Sequence, residues 1–182
     1  MHNVPLALPG VLLIEHKVFA DPRGAFFESW NERDFAAAGV GVRFVQENVS
    51  LSRRHVLRGL HYQLPQAQGK LVRVLAGKIF DVVVDLRRSS ASFGRSLNVT
   101  LDAEEQRSLW VPAGFAHGFL ALADDTRVQY KVTDFWSPQA EHTLAWDDPA
   151  LRIEWPLPAG GVPILSEKDR HGQRLAQAET FP

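Results

Sequence analysis

From Val11 onward the chain alternates short apolar runs with turn residues. The runs are Leu12–Phe19, Phe26–Trp30, Phe44–Leu51, Gly59–Gln63, Lys70–Leu75, Lys78–Leu86, Ser96–Leu101, Ser108–Val111, Gly118–Leu122, Arg127–Thr133 and Thr143–Trp146. Breakers fall between them at Asp21-Pro22, Gly77, Ser89-Ser90, Pro112-Ala113-Gly114, Asp124-Asp125, Ser137-Pro138 and Asp147-Asp148-Pro149. Short strands punctuated this closely predict an all-β sandwich or barrel. Helical signals are confined to two places. Asn31 precedes the stretch Glu32 to Ala38 and Gly39 ends it, which predicts one short helix with its N-cap and glycine stop. A second helix is expected from Glu167 to about Arg174. No repeat, low-complexity stretch or linker divides the chain, so residues 1–182 are expected to form a single domain.

Polar residues inside the apolar runs come next. His61 and Gln63 stand two apart, so in a strand they project from one face. Gln46 and Asn48 share a face for the same reason. Lys70 follows Gln63 by seven positions, Gly77 follows Lys70 by seven, and Pro112-Ala113-Gly114-Phe115-Ala116-His117 brings a second histidine after a turn. Simple alternation sends Arg58 to the face opposite His61. Both reach one pocket only if Gly59 bulges or Arg58 curls round the strand end.

Composition removes several function classes. A net charge of −1, with no basic run beyond two arginines, argues against nucleic-acid partners. The absence of cysteine excludes disulfides, thiolate catalysis and zinc ribbons. No apolar run approaches membrane length and Met1-His2-Asn3 opens no signal peptide, so a cytoplasmic protein without a membrane partner is expected.

The pairing of His61, Lys70 and Gly77 with Pro112, Gly114 and His117 resembles the two motifs of the cupin β-barrels. The resemblance implies a jelly-roll barrel with short flanking helices. Metal-binding cupins supply two histidines and a glutamate from the first motif and a third histidine from the second. Here Gln63 stands at the second histidine's place and Lys70 at the glutamate's. An ammonium repels a divalent cation and suits an anionic substrate or a developing oxyanion. An acid–base site with no metal and no cofactor is therefore expected.

The resemblance then narrows. Asp21–Glu28, Phe44–Asn48, Leu57–Gln63, Gln68–Arg73, Val111–Phe119, Tyr130–Trp136 and Leu165–Asp169 are similar, in order and spacing, to the dTDP-4-dehydrorhamnose 3,5-epimerases. That family implies proton exchange at C3 and C5 of a dTDP-activated 4-ketosugar, each carbon flanking the C4 carbonyl. It implies His61 as base, Asp169 orienting it, Lys70 stabilising the enolate and Tyr130 returning a proton from the opposite face. Arg23, Arg58 and Lys168 would meet the diphosphate, Gln46 and Asn48 the base or sugar, and Trp136 would stack on thymine. Phe26, Glu28, His117 and Glu141 match further substrate contacts. On local sequence each has a plainer reading as well: core histidine, strand-end lysine, packed tyrosine, helix-capping acid. His2, His16, His55, His142 and His171 match no motif and read as surface or packing residues.

The residues before Val56 are too many for a simple arm. Lending early strands to a neighbour would remove an exposed edge, so a homodimer is expected. The alternatives are a 3- or 5-mono-epimerase of the same family, a metal-dependent cupin and a non-catalytic sugar-nucleotide binding module.

Overall fold

A computed structural model describes residues 1–182. Its strands are β1 His2–Pro5, β2 Leu12–Glu15, β3 Phe19–Asp21, β4 Gly24–Phe26, β5 Gln46–Ser52, β6 Leu57–Gln63 and β7 Lys70–Ala76. They continue as β8 Lys78–Asp85, β9 Ser96–Asp102, β10 Arg107–Val111, β11 Phe115–Ala121, β12 Thr126–Val132 and β13 Glu141–Thr143. The helices are α1 Glu32–Ala37 and α2 Glu167–Arg170. One sheet has the order β1-β2-β10-β7-β12-β5, a second the order β13-β6-β11-β8-β9, and β3-β4 form a separate hairpin. Pairing between the strands is antiparallel throughout. Two such sheets face to face make the expected cupin-type barrel. No helix is long and apolar enough to cross a membrane.

The period-two alternation decides where each side chain goes. Leu13, Val72, Val74, Ile79, Val83, Leu109, Phe115, Phe119 and Val128 point between the sheets and form the main core. Residues of opposite parity are also buried, because each sheet is covered outside. Leu60, Val82, Val84 and Ala116 pack under the C-terminal segment with Leu144, Leu151 and Ala178. Ile14, Leu71 and Trp110 pack under α1 through Phe35 and Val40.

The structure departs from the sequence expectations at several boundaries. The run Leu12–Phe19 breaks after Glu15, where His16 packs on the α1 side of the sheet: its Nε2 lies 2.8 Å from the Ser108 hydroxyl, and its ring packs on Phe27 and Phe35. Residues Phe27 to Trp30 form no strand; the Phe27 ring lies under the Arg73 guanidinium instead. Strand β1 was not expected, since four polar-flanked residues carry little signal until β2 pairs with them. Helix α1 is as expected, with the Asn31 side chain accepting from the Arg33 and Asp34 amides. Helix α2 stops at Arg170, short of Arg174, because Gly172 passes against the Ala145 backbone and Gln173 bridges Leu144.

The question over Arg58 is resolved at Gly59. His117 lies opposite His61 and Phe119 opposite Arg58, so two residues of β6 face the single Gly118 of β11. That bulge puts Arg58 and His61 on one pocket. It requires glycine: Gly59 has φ +128°, and a Cβ there would meet the Gly118 Cα at 2.6 Å. Replacing Gly59 by alanine is expected to cost about 1–3 kcal/mol in a urea unfolding experiment. It should also displace Arg58 or His61 enough to depress turnover; an alanine variant with unchanged stability and activity would contradict the bulge assignment.

Candidate active site

The inner face of the barrel changes character along its strands. Beyond the dry core, the same alternation, shifted for Arg58 by the Gly59 bulge, presents Gln46, Asn48, Arg58, His61, Lys70, His117 and Tyr130 to a cavity of about 400 Å³. His61 and His117 come from the five-stranded sheet, Lys70 and Tyr130 from the six-stranded sheet. A ligand between the sheets therefore has the imidazoles on one side and the phenol on the other.

His61 Nε2 lies 2.5 Å from Asp169 Oδ1. Burial pushes the Asp169 carboxylate up, but hydrogen bonds from His61 and Ser166 and the nearby Lys168 charge hold it below the usual range. As an acceptor-only group it assigns the proton to Nε2, which leaves Nδ1 as the basic nitrogen. Burial lowers the His61 pKa below 6.5, and Asp169 only partly offsets this. The imidazole is thus neutral at physiological pH, able to take a proton.

Lys70 is almost wholly buried, and its Nζ donates to the His61 carbonyl oxygen at 3.0 Å. Burial lowers its pKa to about 8, with Glu141 and Asp81 opposing the shift. It remains mainly cationic at neutral pH, beside the proposed base. Burial pushes the Tyr130 phenol upward, so it holds its proton and can donate it.

Gln63, in the place of a metal-binding histidine, has its amide fully engaged. Nε2 donates to the Gln66 and Phe135 carbonyls, and Oε1 accepts from the Ser137 amide at 2.9 Å. It anchors the loop that carries Trp136, an exposed indole on the pocket wall. The Trp136 amide in turn donates to Gln46 Oε1, and Gln46 Nε2 to Asn48 Oδ1. No group of three His, Asp or Glu residues is arranged to hold a metal ion.

Arg58 is fixed by Ser52 Oγ and the Leu51 carbonyl. Lys168 pairs with Glu141 at 2.8 Å across the pocket wall. Such a partly exposed pair is worth about 0–1 kcal/mol, so a doubly charged anion can draw Lys168 away at little cost. Arg58, Lys70 and Lys168 together make the cavity attractive to a diphosphate.

Three expected contacts lie elsewhere in the single chain. Arg23 and Phe26 belong to the exposed β3–β4 hairpin and Glu28 to the segment after it; Arg23 is paired with Asp21, and Glu28 accepts from Asn31. None of them lines the cavity. Sequence reasoning missed Asp81, whose two carboxylate oxygens lie 2.9 Å from His117 Nε2 beneath the pocket. An acid flanked by Phe80 and Val82 within the apolar part of β8 was the available signal. It also missed Ser50, Gln68 and Ser166 on the wall; serines and glutamines in β-rich sequence carry no such mark.

A barrel with a buried histidine–aspartate pair, a desolvated lysine and a phenol across the cavity defines a cupin-type isomerase working by proton transfer. A family model described as dTDP-4-dehydrorhamnose 3,5-epimerase matches residues 5–177. The dTDP-4-dehydrorhamnose 3,5-epimerase of Pseudomonas aeruginosa is 55% identical over 183 residues, covering 100% of both chains. A crystal structure of a dTDP-6-deoxy-D-glucose-3,5-epimerase from Legionella pneumophila, in complex with dTDP-4-keto-L-rhamnose, superposes with a TM-score of 0.94. It is 42% identical and covers 98% of this chain and 94% of that one. A 3'-monoepimerase from Streptomyces bikiniensis in complex with dTDP-quinovose has a TM-score of 0.88 at 36% identity, over 97% and 88% of the two chains. The chain belongs to the dTDP-4-dehydrorhamnose 3,5-epimerase family and is an epimerase.

A bell-shaped pH dependence of kcat/KM is expected. The acid limb falls below pH 6.5 as His61 takes up its proton in the free enzyme. The alkaline limb falls near pH 8 as Lys70 loses its charge. Replacing Lys70 by methionine should abolish most activity; activity rising steadily to pH 10 would remove Lys70 from the chemistry.

Proposed function

We propose that residues 1–182 form one epimerase domain that inverts C3 and C5 of dTDP-4-dehydro-6-deoxy-D-glucose. The product is dTDP-4-dehydro-L-rhamnose, an intermediate of dTDP-L-rhamnose biosynthesis. The observation that carries this reading is the His61–Asp169 pair facing Tyr130 across one cavity, with Lys70 beside the base.

The geometry suits the chemistry. His61 removes the proton next to the ketone from the ring face turned to the five-stranded sheet. The Lys70 ammonium stabilises negative charge as it grows on the C4 oxygen. Tyr130 delivers a proton to the other face, and the centre is inverted. Repeating the cycle at the second flanking carbon needs no new group, only a change in the ring's position. Every step uses side chains of the chain, and no metal or cofactor enters. Arg58 and Lys168 hold the diphosphate, Gln46, Asn48, His117 and Glu141 the remaining polar groups, and Trp136 the thymine face.

Arg23, Phe26 and Glu28 fit this reading through a homodimer. Phe19 and Phe26 are exposed on the β3–β4 hairpin, and Val49 and Leu51 on the outer face of the edge strand β5. Apolar side chains on an edge strand favour pairing with a second copy. In a symmetric pair the hairpin of one protomer would complete the cavity of the other.

A second reading, inversion at a single carbon, is favoured by the likeness to the 3'-monoepimerase. Proton NMR of the ketosugar in heavy water separates the two. Deuterium is expected at both C3 and C5; entry at one carbon alone would establish the mono-epimerase. His61→Asn should lower exchange at both carbons by at least about 10³-fold while dTDP still binds. Tyr130→Phe should depress net inversion more than proton abstraction. Chelators should leave turnover intact.

Sedimentation equilibrium should give twice the chain mass. Leu51→Lys should shift it toward one chain and raise KM; a monomeric, fully active enzyme would overturn the shared-site reading.

A further inference from the structure

We propose that Ser166 is a positioning residue for the reaction: its hydroxyl holds the Asp169 carboxylate in the orientation that presents Oδ1 to His61. The proposal rests on the reading of His61 as the base and extends it by one hydrogen bond. Ser166 Oγ donates to Asp169 Oδ2 at 2.6 Å, and the Asp169 amide donates back to Ser166 Oγ at 3.3 Å. Asp169 is 2% exposed, so solvent has almost no access to replace either partner. Its oxygens are divided: Oδ1 serves the imidazole at 2.5 Å and Oδ2 the hydroxyl. Rotation of the carboxylate would break both bonds together, which makes each a constraint on the other.

Without the hydroxyl, Oδ2 loses its donor inside a nearly dry site. The carboxylate can then turn toward another donor, or stay and become more basic. Turning misaims the imidazole. Higher basicity holds the imidazolium more tightly and makes the base slower to release its proton. Charges facing the pair act alongside: Lys70 from β7 and Lys168 from α2 both oppose a proton on His61. Glu141 on β13 is occupied by Lys168.

Ser166 also caps α2, accepting from the Asp169 amide. A purely structural role predicts that any residue able to cap would serve. Glycine caps a helix nearly as well as serine but carries no hydroxyl, whereas threonine carries both functions. The test compares full-length Ser166→Gly and Ser166→Thr with the parent. The readouts are the pH profile of turnover and the imidazole N–H proton resonance of ¹⁵N-histidine-labelled protein, assigned by its loss in His61→Asn.

In Ser166→Gly, kcat is expected to fall about ten- to a hundredfold with KM little changed. The acid limb should move, upward where the carboxylate stays and downward where it turns from His61, and the N–H resonance should shift or broaden. Ser166→Thr should restore all three. If the glycine variant does not fold, Ser166→Ala gives the same comparison. A variant without the hydroxyl but with parental kcat and acid limb overturns the proposal, as does a threonine variant no better than glycine. The underlying reading fails separately: a His61→Asn enzyme that keeps its turnover removes the base itself. An inactive His61→Asn enzyme beside a parental glycine variant removes only Ser166.

Discussion

The hydrogen bond between His61 and Asp169 joins groups 108 residues apart in sequence and ties α2 to the wall of the cavity. Burying such a pair is costly unless its geometry is imposed by the surroundings. Here the surroundings are the C-terminal segment. Leu144, Leu151 and Ala178 pack on the outer face of the five-stranded sheet, and the Tyr62 hydroxyl donates to the Glu179 carbonyl at 2.6 Å. Leu144 and Gln173 bridge immediately after α2, so the helix bearing Asp169 is tied down on its far side. Apolar burial thus supplies the free energy that holds a carboxylate where water would otherwise compete for it.

Desolvation shifts three groups in the cavity, His61 and Tyr130 in the useful direction and Lys70 against it. It lowers His61 and so keeps the imidazole neutral. It raises Tyr130 and keeps the phenol protonated. It lowers Lys70 only to about 8, because Glu141 and Asp81 limit the fall, and the ammonium survives at neutral pH. A wetter pocket would return all three toward their solution values, with a histidine half-protonated near 6.5. The closeness of Lys70 to the His61 carbonyl also orders the pocket: the cation is held beside the base yet bonded to its backbone.

Most of the barrel was legible in the sequence because it rests on short-range pattern, whereas Asp169, Lys70 and Tyr130 were singled out only by the family resemblance. Alternating runs marked most strands, and His61 and Gln63 two apart identified a face. What sequence could not supply was contact between distant segments. The packing of His16 after Glu15 depends on Ser108, and the early end of α2 on Ala145, residues met only after folding. Asp81 was hidden for a related reason: its value lies in His117, which the β8–β11 register brings near. Gln63 was placed correctly, but its work, pinning the loop at Phe135 and Ser137, depends on contacts more than seventy residues away.

The bulge at Gly59 explains how one strand serves two incompatible needs. A regular β6 would alternate, sending His61 inward and Arg58 to the outer, covered face, where a guanidinium would lose water without gaining a partner. Moving Arg58 by one position would instead break its bond to Ser52 on β5. One inserted residue keeps both, and β11 accommodates it only because Gly118 has no side chain to collide with Gly59. The two glycines are therefore a single device. They let the Arg58 guanidinium and the proposed base share a cavity between sheets, while Tyr130 approaches from the other sheet. Inversion requires this opposition of faces, and a flat array of the same residues on one sheet would return the proton to the side it left.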